Sequence, residues 1–148
     1  MNSRLIRVTK VIIDFMFYAG IAVTASIYFI IKFYGRFNSY FEKNIISLTI
    51  LFVLSGILAV LIIFELRKIF RSVINDNCFI RENVISLRRM GTYSFLIAII
   101  TAFRLLIYLT PAVMVVILVF LIAGLFSKVL SQVFDKAVTY KLENDLTI

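Results

Sequence analysis

The chain has 148 residues, 62% of them hydrophobic, a mean hydropathy of +1.04, and a net charge of +8 from 16 Lys and Arg against 8 Asp and Glu. That apolar share is far above the ~45–50% of a soluble domain, and the charges are bunched rather than dispersed, so lipid is the natural solvent. Histidine is absent and Cys78 is the single cysteine, which removes the commonest general base and metal ligand and any intrachain disulfide; no enzymatic activity and no cofactor are expected.

The first apolar run, Val11 to Ile31, follows Arg4, Arg7 and Lys10. A positive start before an apolar body resembles a signal peptide, with a conceivable cleavage site after Val23-Thr24-Ala25. At about 20 residues, however, the run is long enough to cross ~30 Å of hydrocarbon, and an uncleaved anchor is expected. The second run, Ile45 to Phe64, carries no charge and ends at Glu65-Leu66-Arg67-Lys68.

The third stretch, Thr92 to Phe126, would reach ~52 Å as one helix and overshoot the bilayer, so it must fold back. Leu109-Thr110-Pro111 marks the turn: threonine caps helices, and proline suits the first helical position, where its missing amide would be unpaired anyway. The spacing therefore predicts spans over about 11–31, 45–64, 92–109 and 111–130, in a single membrane domain covering 1–148. The fold class is an all-α integral membrane four-helix bundle with helical cytoplasmic extensions.

Orientation follows from Lys and Arg in the flanking segments. With the N-terminus inside, the cytoplasmic segments hold Arg4, Arg7, Lys10, Arg67, Lys68, Arg71, Arg81, Arg88, Arg89, Lys128, Lys136 and Lys141, and the outside only Lys32, Arg36 and Lys43. Twelve against three predicts both termini in the cytoplasm and a multi-pass protein of the cell membrane. Tyr34, Tyr40 and Tyr108 then fall at the outer boundary and Tyr93 at the inner one, where interfacial aromatics belong. Gly20, Gly56 and Gly124 lie within spans, as close helix packing requires, and leave room for a homo-oligomer.

Two cytoplasmic pieces remain. Residues 66–91 read as an extension of the second helix, a turn at Asn75-Asp76-Asn77, and a helix from about Arg81 leading into the third span. Leu125 to Ile148 continues the fourth helix into a cytoplasmic tail, 128–148, with Phe126, Val129, Leu130, Val133, Phe134 and Val138 at three- and four-residue intervals along one face.

The stretch CFIRENVISLRRMG, Cys78 to Gly91, resembles the PFTxENxxxLRxIG segment of the bacterial membrane-protein family called domain of unknown function 2975. LSQVFDKAVTYKLENDLTI, Leu130 to Ile148, resembles that family's LAEVFRRGVELxEEQDLTI tail. Matching positions are Phe79, Glu82, Asn83, Leu87, Arg88 and Gly91 in the loop, and Leu130, Val133, Phe134, Val138, Asp145, Leu146, Thr147 and Ile148 in the tail. Cys78 and Ile80 stand in place of the family's proline and capping threonine, and Gln132, Asp135, Lys136 and Ala137 in place of Glu-Arg-Arg-Gly. The resemblance implies a small membrane companion of short helix-turn-helix regulators of the Cro/C1 type, with no enzymatic activity attached.

Several features carry two readings. Arg104, inside the third apolar run, is by default a functional candidate, yet its stem could carry the guanidinium to the outer headgroups or to Glu42. Asp14, four residues after Lys10 and on the same helix face, reads as its ion-pair partner or as a transport carboxylate. The basic loop from Arg67 to Arg89 suits anionic headgroups at ~1 kcal/mol per residue and no direct nucleic-acid contact. The tail lies on the membrane or docks on the loop to form one surface for a soluble partner. The leading expectation is a regulatory protein that binds or sequesters a cytoplasmic helix-turn-helix regulator through Phe79, Glu82, Asn83, Leu87, Arg88, Gly91, Val133, Phe134, Asp145, Leu146, Thr147 and Ile148. The alternative is an immunity or small transport protein working within the bilayer on Asp14 and Arg104.

Overall fold

The computed structural model of the chain describes residues 3–107 and 109–146; Tyr108, Thr147 and Ile148, singled out above, lie outside the described residues. All the elements among the described residues are helices: α1 (Ser3–Ala25), α2 (Ile27–Gly35), α3 (Ser39–Lys43), α4 (Ile45–Ile74), α5 (Arg81–Ile107) and α6 (Pro111–Leu146). Four of them, α1, α4, α5 and α6, are long and apolar enough to cross a membrane. The chain is an all-α membrane bundle.

Local chemistry sets the breaks. The first apolar run divides at Ser26, whose N–H is shared between the carbonyls of Ala22 (3.1 Å) and Val23 (3.0 Å), a three-centre pattern common at helix termini. Asn38 caps α3 by accepting the Tyr40 N–H at 2.9 Å. Asp76 sits at φ 52°, a left-handed position that aspartate tolerates better than most residues, and there α4 turns toward α5. At the start of α6 the Thr110 hydroxyl accepts the Val113 N–H at 3.3 Å, with Pro111 opening the helix.

The helices are longer than a bilayer needs. With 30, 27 and 36 residues, α4, α5 and α6 reach ~45, ~40 and ~54 Å against ~30 Å of hydrocarbon. Contacts of Asp14 with Arg67 and of Gly20 with Val60 set α1 antiparallel to α4. Those of Gly91 with Lys128 and Arg81 with Asp135 set α5 antiparallel to α6. Ser3, Asn75 and Leu146 therefore share one end of the molecule, and Asn38 and Thr110 the other. The surplus helix projects at the Asn75 end.

Small residues decide how closely the helices approach. A Cβ on Gly56 would lie 2.6 Å from the Thr24 hydroxyl, and one on Gly91 would lie 3.1 Å from the Gly124 carbonyl oxygen. Without a hydrophobic drive between helices in lipid, such close van der Waals packing carries the association. The packing runs α1 on α4, α4 on α5 and α5 on α6, and α1 does not touch α6. α5 is accordingly the most buried, and the hydroxyls of Thr101 and Ser94 satisfy themselves on the carbonyls of Ile97 (2.7 Å) and Met90 (2.9 Å). A smaller apolar cluster of Ile27, Ile31 and Leu48, flanked by Tyr40, Phe41 and Phe52, closes the Asn38 end.

Candidate functional site

At the Asn75 end the chain builds a cap from two segments far apart in sequence. The Asn83 amide, in the first turn of α5, donates to the Ser72 hydroxyl and to the Cys78 carbonyl, each at 2.6 Å. These bonds tie α5 back to the end of α4 and close the turn. Phe79 then meets Phe134 of α6 edge-on, with ring centroids 5.2 Å apart. Asp135 takes Arg81 in an ion pair and lies 3.8 Å from Arg88. Lys128 Nζ donates to the Arg88 carbonyl (3.0 Å) and the Thr92 hydroxyl (2.8 Å), and Lys141 Nζ to the Asn77 side chain at 2.8 Å. The loop and the tail of α6 thus form one unit, with the tail docked on the loop.

Between residues 77–82 and 138–145 this unit leaves a groove of ≈ 300 Å³. Phe79, Val138 and Leu142 supply its apolar lining and Lys141, Glu82 and Asp145 its charge. Arg81 is paired with Asp135, whereas Lys141 donates to the neutral Asn77 side chain and keeps its charge. Glu82 and Asp145 are exposed and make no ion pair among the described residues; with Arg81 counted against Asp135 and Lys141 against one of them, the groove combines apolar surface with one net negative charge.

The residues singled out in the loop and tail divide into two groups. Phe79, Glu82, Arg88, Val133, Asp145 and Leu146 are exposed and Phe134 is half-buried. Asn83, Leu87 and Gly91 are buried by the chain itself: Asn83 closes the turn, Leu87 packs inside, and Gly91 admits α6. Their place in the family-like pattern is structural, and they are not surface for a partner. The expected apolar stripe of the tail is also split. Val138 is buried, whereas Phe126, Val129 and Val133 stand 66%, 58% and 54% exposed. α6 instead turns Gly124 and Ser131 toward its neighbours, because small residues allow the closer approach.

The departure at Ile80 has a local consequence. α5 starts at Arg81, so Ile80 occupies the capping position with a side chain that accepts no hydrogen bond. Replacing Ile80 by threonine is expected to stabilise the cap by about 1 kcal/mol, read as a higher Tm of the purified chain in detergent.

Charged groups near and within the bilayer are placed differently from expectation. Asp14 does not pair with Lys10: Arg67 of α4 takes it at 2.8 Å, while the same guanidinium stacks 4.4 Å from the Phe17 ring and 5.5 Å from that of Tyr18. Aromatic faces on the same helix favour Arg over the flexible ammonium of a lysine one turn away. Arg104 does not reach Glu42 either: its guanidinium lies 4.0 Å over the Phe52 ring, with the Tyr40 phenol acting on it electrostatically. Glu65 is buried at 3% exposure between Lys68 and Arg89, each 3.5 Å away. Sequence reasoning passed over Glu65, although its signal, the first charge after an uninterrupted apolar run, was present.

No match was found among curated proteins or among solved structures. The family described as "Protein of unknown function (DUF2975)" matches residues 15–148, which includes the whole cap, α4, α5 and α6, the C-terminal part of α1, and both motifs that carried the resemblance. The chain belongs to that family.

Proposed function

We propose that this chain is a non-enzymatic regulatory protein of the cell membrane that docks a soluble helix-turn-helix regulator on the cap formed by residues 67–91 and 128–146. The observation that carries the reading is the locking of loop and tail into one unit beyond the bilayer. Its groove offers Phe79, Leu142 and the unpaired Glu82 and Asp145, which suits a partner segment that is basic and partly apolar. DNA-binding regulators carry such basic surfaces to meet phosphates, and a partner held there would be kept from DNA by competition for the same charges.

The reading places the cap in the cytoplasm, where the twelve cationic residues at the Asn75 end belong by the positive-inside rule. Those cations also meet anionic headgroups, so the cap rests at the membrane surface with its groove turned to the partner. Action within the bilayer on Asp14 and Arg104 is the weaker reading, since Arg67 already neutralises Asp14.

The test is fractionation. A Cro/C1-type regulator from the same genome should co-sediment with membranes holding the full chain and return to the soluble fraction when residues 142–148 are removed. A regulator that stays soluble beside the full chain, or stays membrane-bound with the truncated one, sinks the reading. Cys78, the single thiol, gives the orientation independently: in intact cells a membrane-impermeant maleimide should leave it unlabelled.

A further inference from the structure

Because α1 and α6 do not touch, a cleft of ≈ 780 Å³ opens between α1–α2 on one side and α5–α6 on the other, with α4 as its floor. That volume lies within the ~300–1,000 Å³ of ligand sites. Along the floor it runs over the twelve residues from Phe52 to Ile63, eleven helical steps and so ~16 Å of helix. This is about half of the ~30 Å hydrocarbon core, the depth that one leaflet's acyl chain covers. The walls are almost wholly aliphatic and aromatic.

The polar exceptions gather toward the Asn38 end. Arg104 lines the cleft half-buried. Of the charged groups within or at the edge of the spans, Asp14 and Glu65 are matched by cations, while Arg104 makes neither an ion pair nor a hydrogen bond among the described residues. Stacking on Phe52 occupies the face of the guanidinium and leaves its in-plane N–H donors, whose fork matches carboxylate or phosphate oxygens. A second polar group in the cleft is also unspent: the Ser55 hydroxyl oxygen is buried with no hydrogen-bond partner. At the mouth Asn38 uses its side-chain oxygen on the Tyr40 N–H and keeps its amide N–H groups.

A cation held in an apolar cleft is costly without a counter-charge. An acyl-chain slot headed by an unbalanced guanidinium has the chemistry of one kind of occupant. We propose that this cleft is a binding site for an anionic phospholipid, one acyl chain laid along α4 and the headgroup phosphate held by Arg104. The site selects against zwitterionic phospholipids because their headgroup cation already satisfies the phosphate and repels the guanidinium. Lys32, Arg36 and Lys43 lie toward the same end and draw anionic lipid to the mouth without entering the cleft.

Native mass spectrometry of the full chain, exchanged into micelles with phosphatidylglycerol or phosphatidylcholine of identical chains, reads the selectivity directly. One phosphatidylglycerol should be retained with a preference on the order of tenfold, the ratio that one charge-assisted contact confers. Arg104→Gln should bring the preference to about one, and Lys43→Gln should leave it unchanged. Ala59→Phe fills the floor of the cleft with Arg104 in place, and should lose the retained lipid as well. Equal retention of the two lipids, a preference that survives Arg104→Gln, or one that falls equally with Lys43→Gln overturns the proposal, the last because it would mark surface attraction alone. Retention undiminished by Ala59→Phe overturns it too.

Discussion

Gly124→Leu is expected to part α5 from α6 and open the cap from below. A Cβ at this position would lie 2.7 Å from Phe95 Cε1 and 2.8 Å from Cδ1, so even one carbon displaces a ring, and an isobutyl group has nowhere to go. The two backbones are already in close approach here, with the Gly124 carbonyl 3.1 Å from where a Cβ of Gly91 would be, so room for the side chain is made only by parting the helices. Leucine is a better helix former than glycine by about 1 kcal/mol, but overpacking costs ~1–3 kcal/mol and the wedge also pulls Lys128 from the Arg88 carbonyl and Thr92. The clash wins. A lower Tm in detergent together with faster maleimide labelling of Cys78 is the expected pair of results. Gly35→Ala is the control, since a Cβ there meets Glu42 backbone only at 3.4 Å, ordinary contact. If Gly124→Leu behaves like that control, close α5–α6 packing is not what supports the cap.

Features encoded locally were legible in the amino-acid sequence. Run length against bilayer thickness marked the long helices, Thr110 and Pro111 marked the fold-back that the Thr110 hydroxyl completes, and Asn75-Asp76-Asn77 marked the turn that Asp76 makes at positive φ. Features that depend on which helix sits beside which were not. Periodicity says that a face is apolar but not whether lipid or protein covers it, so the tail's exposed Val129 and Val133 could not be told from its buried Val138. Asp14 had a charge partner four residues away in sequence, yet the one it takes is 53 positions away. Reading Asp14 as settled locally ignored the aromatic platform of Phe17 and Tyr18 that holds Arg67.

The same limit hid the cleft. A closed four-helix bundle and an open row of four helices share every run length and every small residue. Only the absence of contact between α1 and α6 leaves Arg104 facing a cavity rather than a neighbouring helix. The candidate site in the cap was legible in part, because the family-like residues do converge there. Their pattern mixed surface with scaffold, and a motif read as letters does not separate Glu82, which is exposed, from Asn83 beside it, which is 2% exposed.

Asn83 tests that separation most sharply. Asn83→Ala should loosen the turn between α4 and α5 more than any surface change in the loop, because it removes both 2.6 Å hydrogen bonds at once and leaves the Cys78 carbonyl without its donor. A buried group left unpaired costs about 1–3 kcal/mol, and with the lost Ser72 contact a total near 2–3 kcal/mol is expected. At tenfold per ~1.4 kcal/mol the cap opens about 30- to 150-fold more often, which the labelling rate of Cys78 reports at fixed pH. Glu82→Ala, one position away and exposed, should leave that rate unchanged. Asn83→Asp refines the point, since the new side chain has the same shape but, ionised, only accepts. It would set a carboxylate against the Cys78 carbonyl and raise the folded-state pKa of the introduced group above its unfolded value. With the pKa raised, the folded state holds the proton more tightly, so the damage is greatest at neutral pH and is relieved as pH falls through the folded pKa and the protonated group donates again. A Tm that rises on acidification for Asn83→Asp, relative to Asn83→Ala, identifies the donor as what holds the turn; parallel pH profiles for the two variants would assign Asn83 to packing alone.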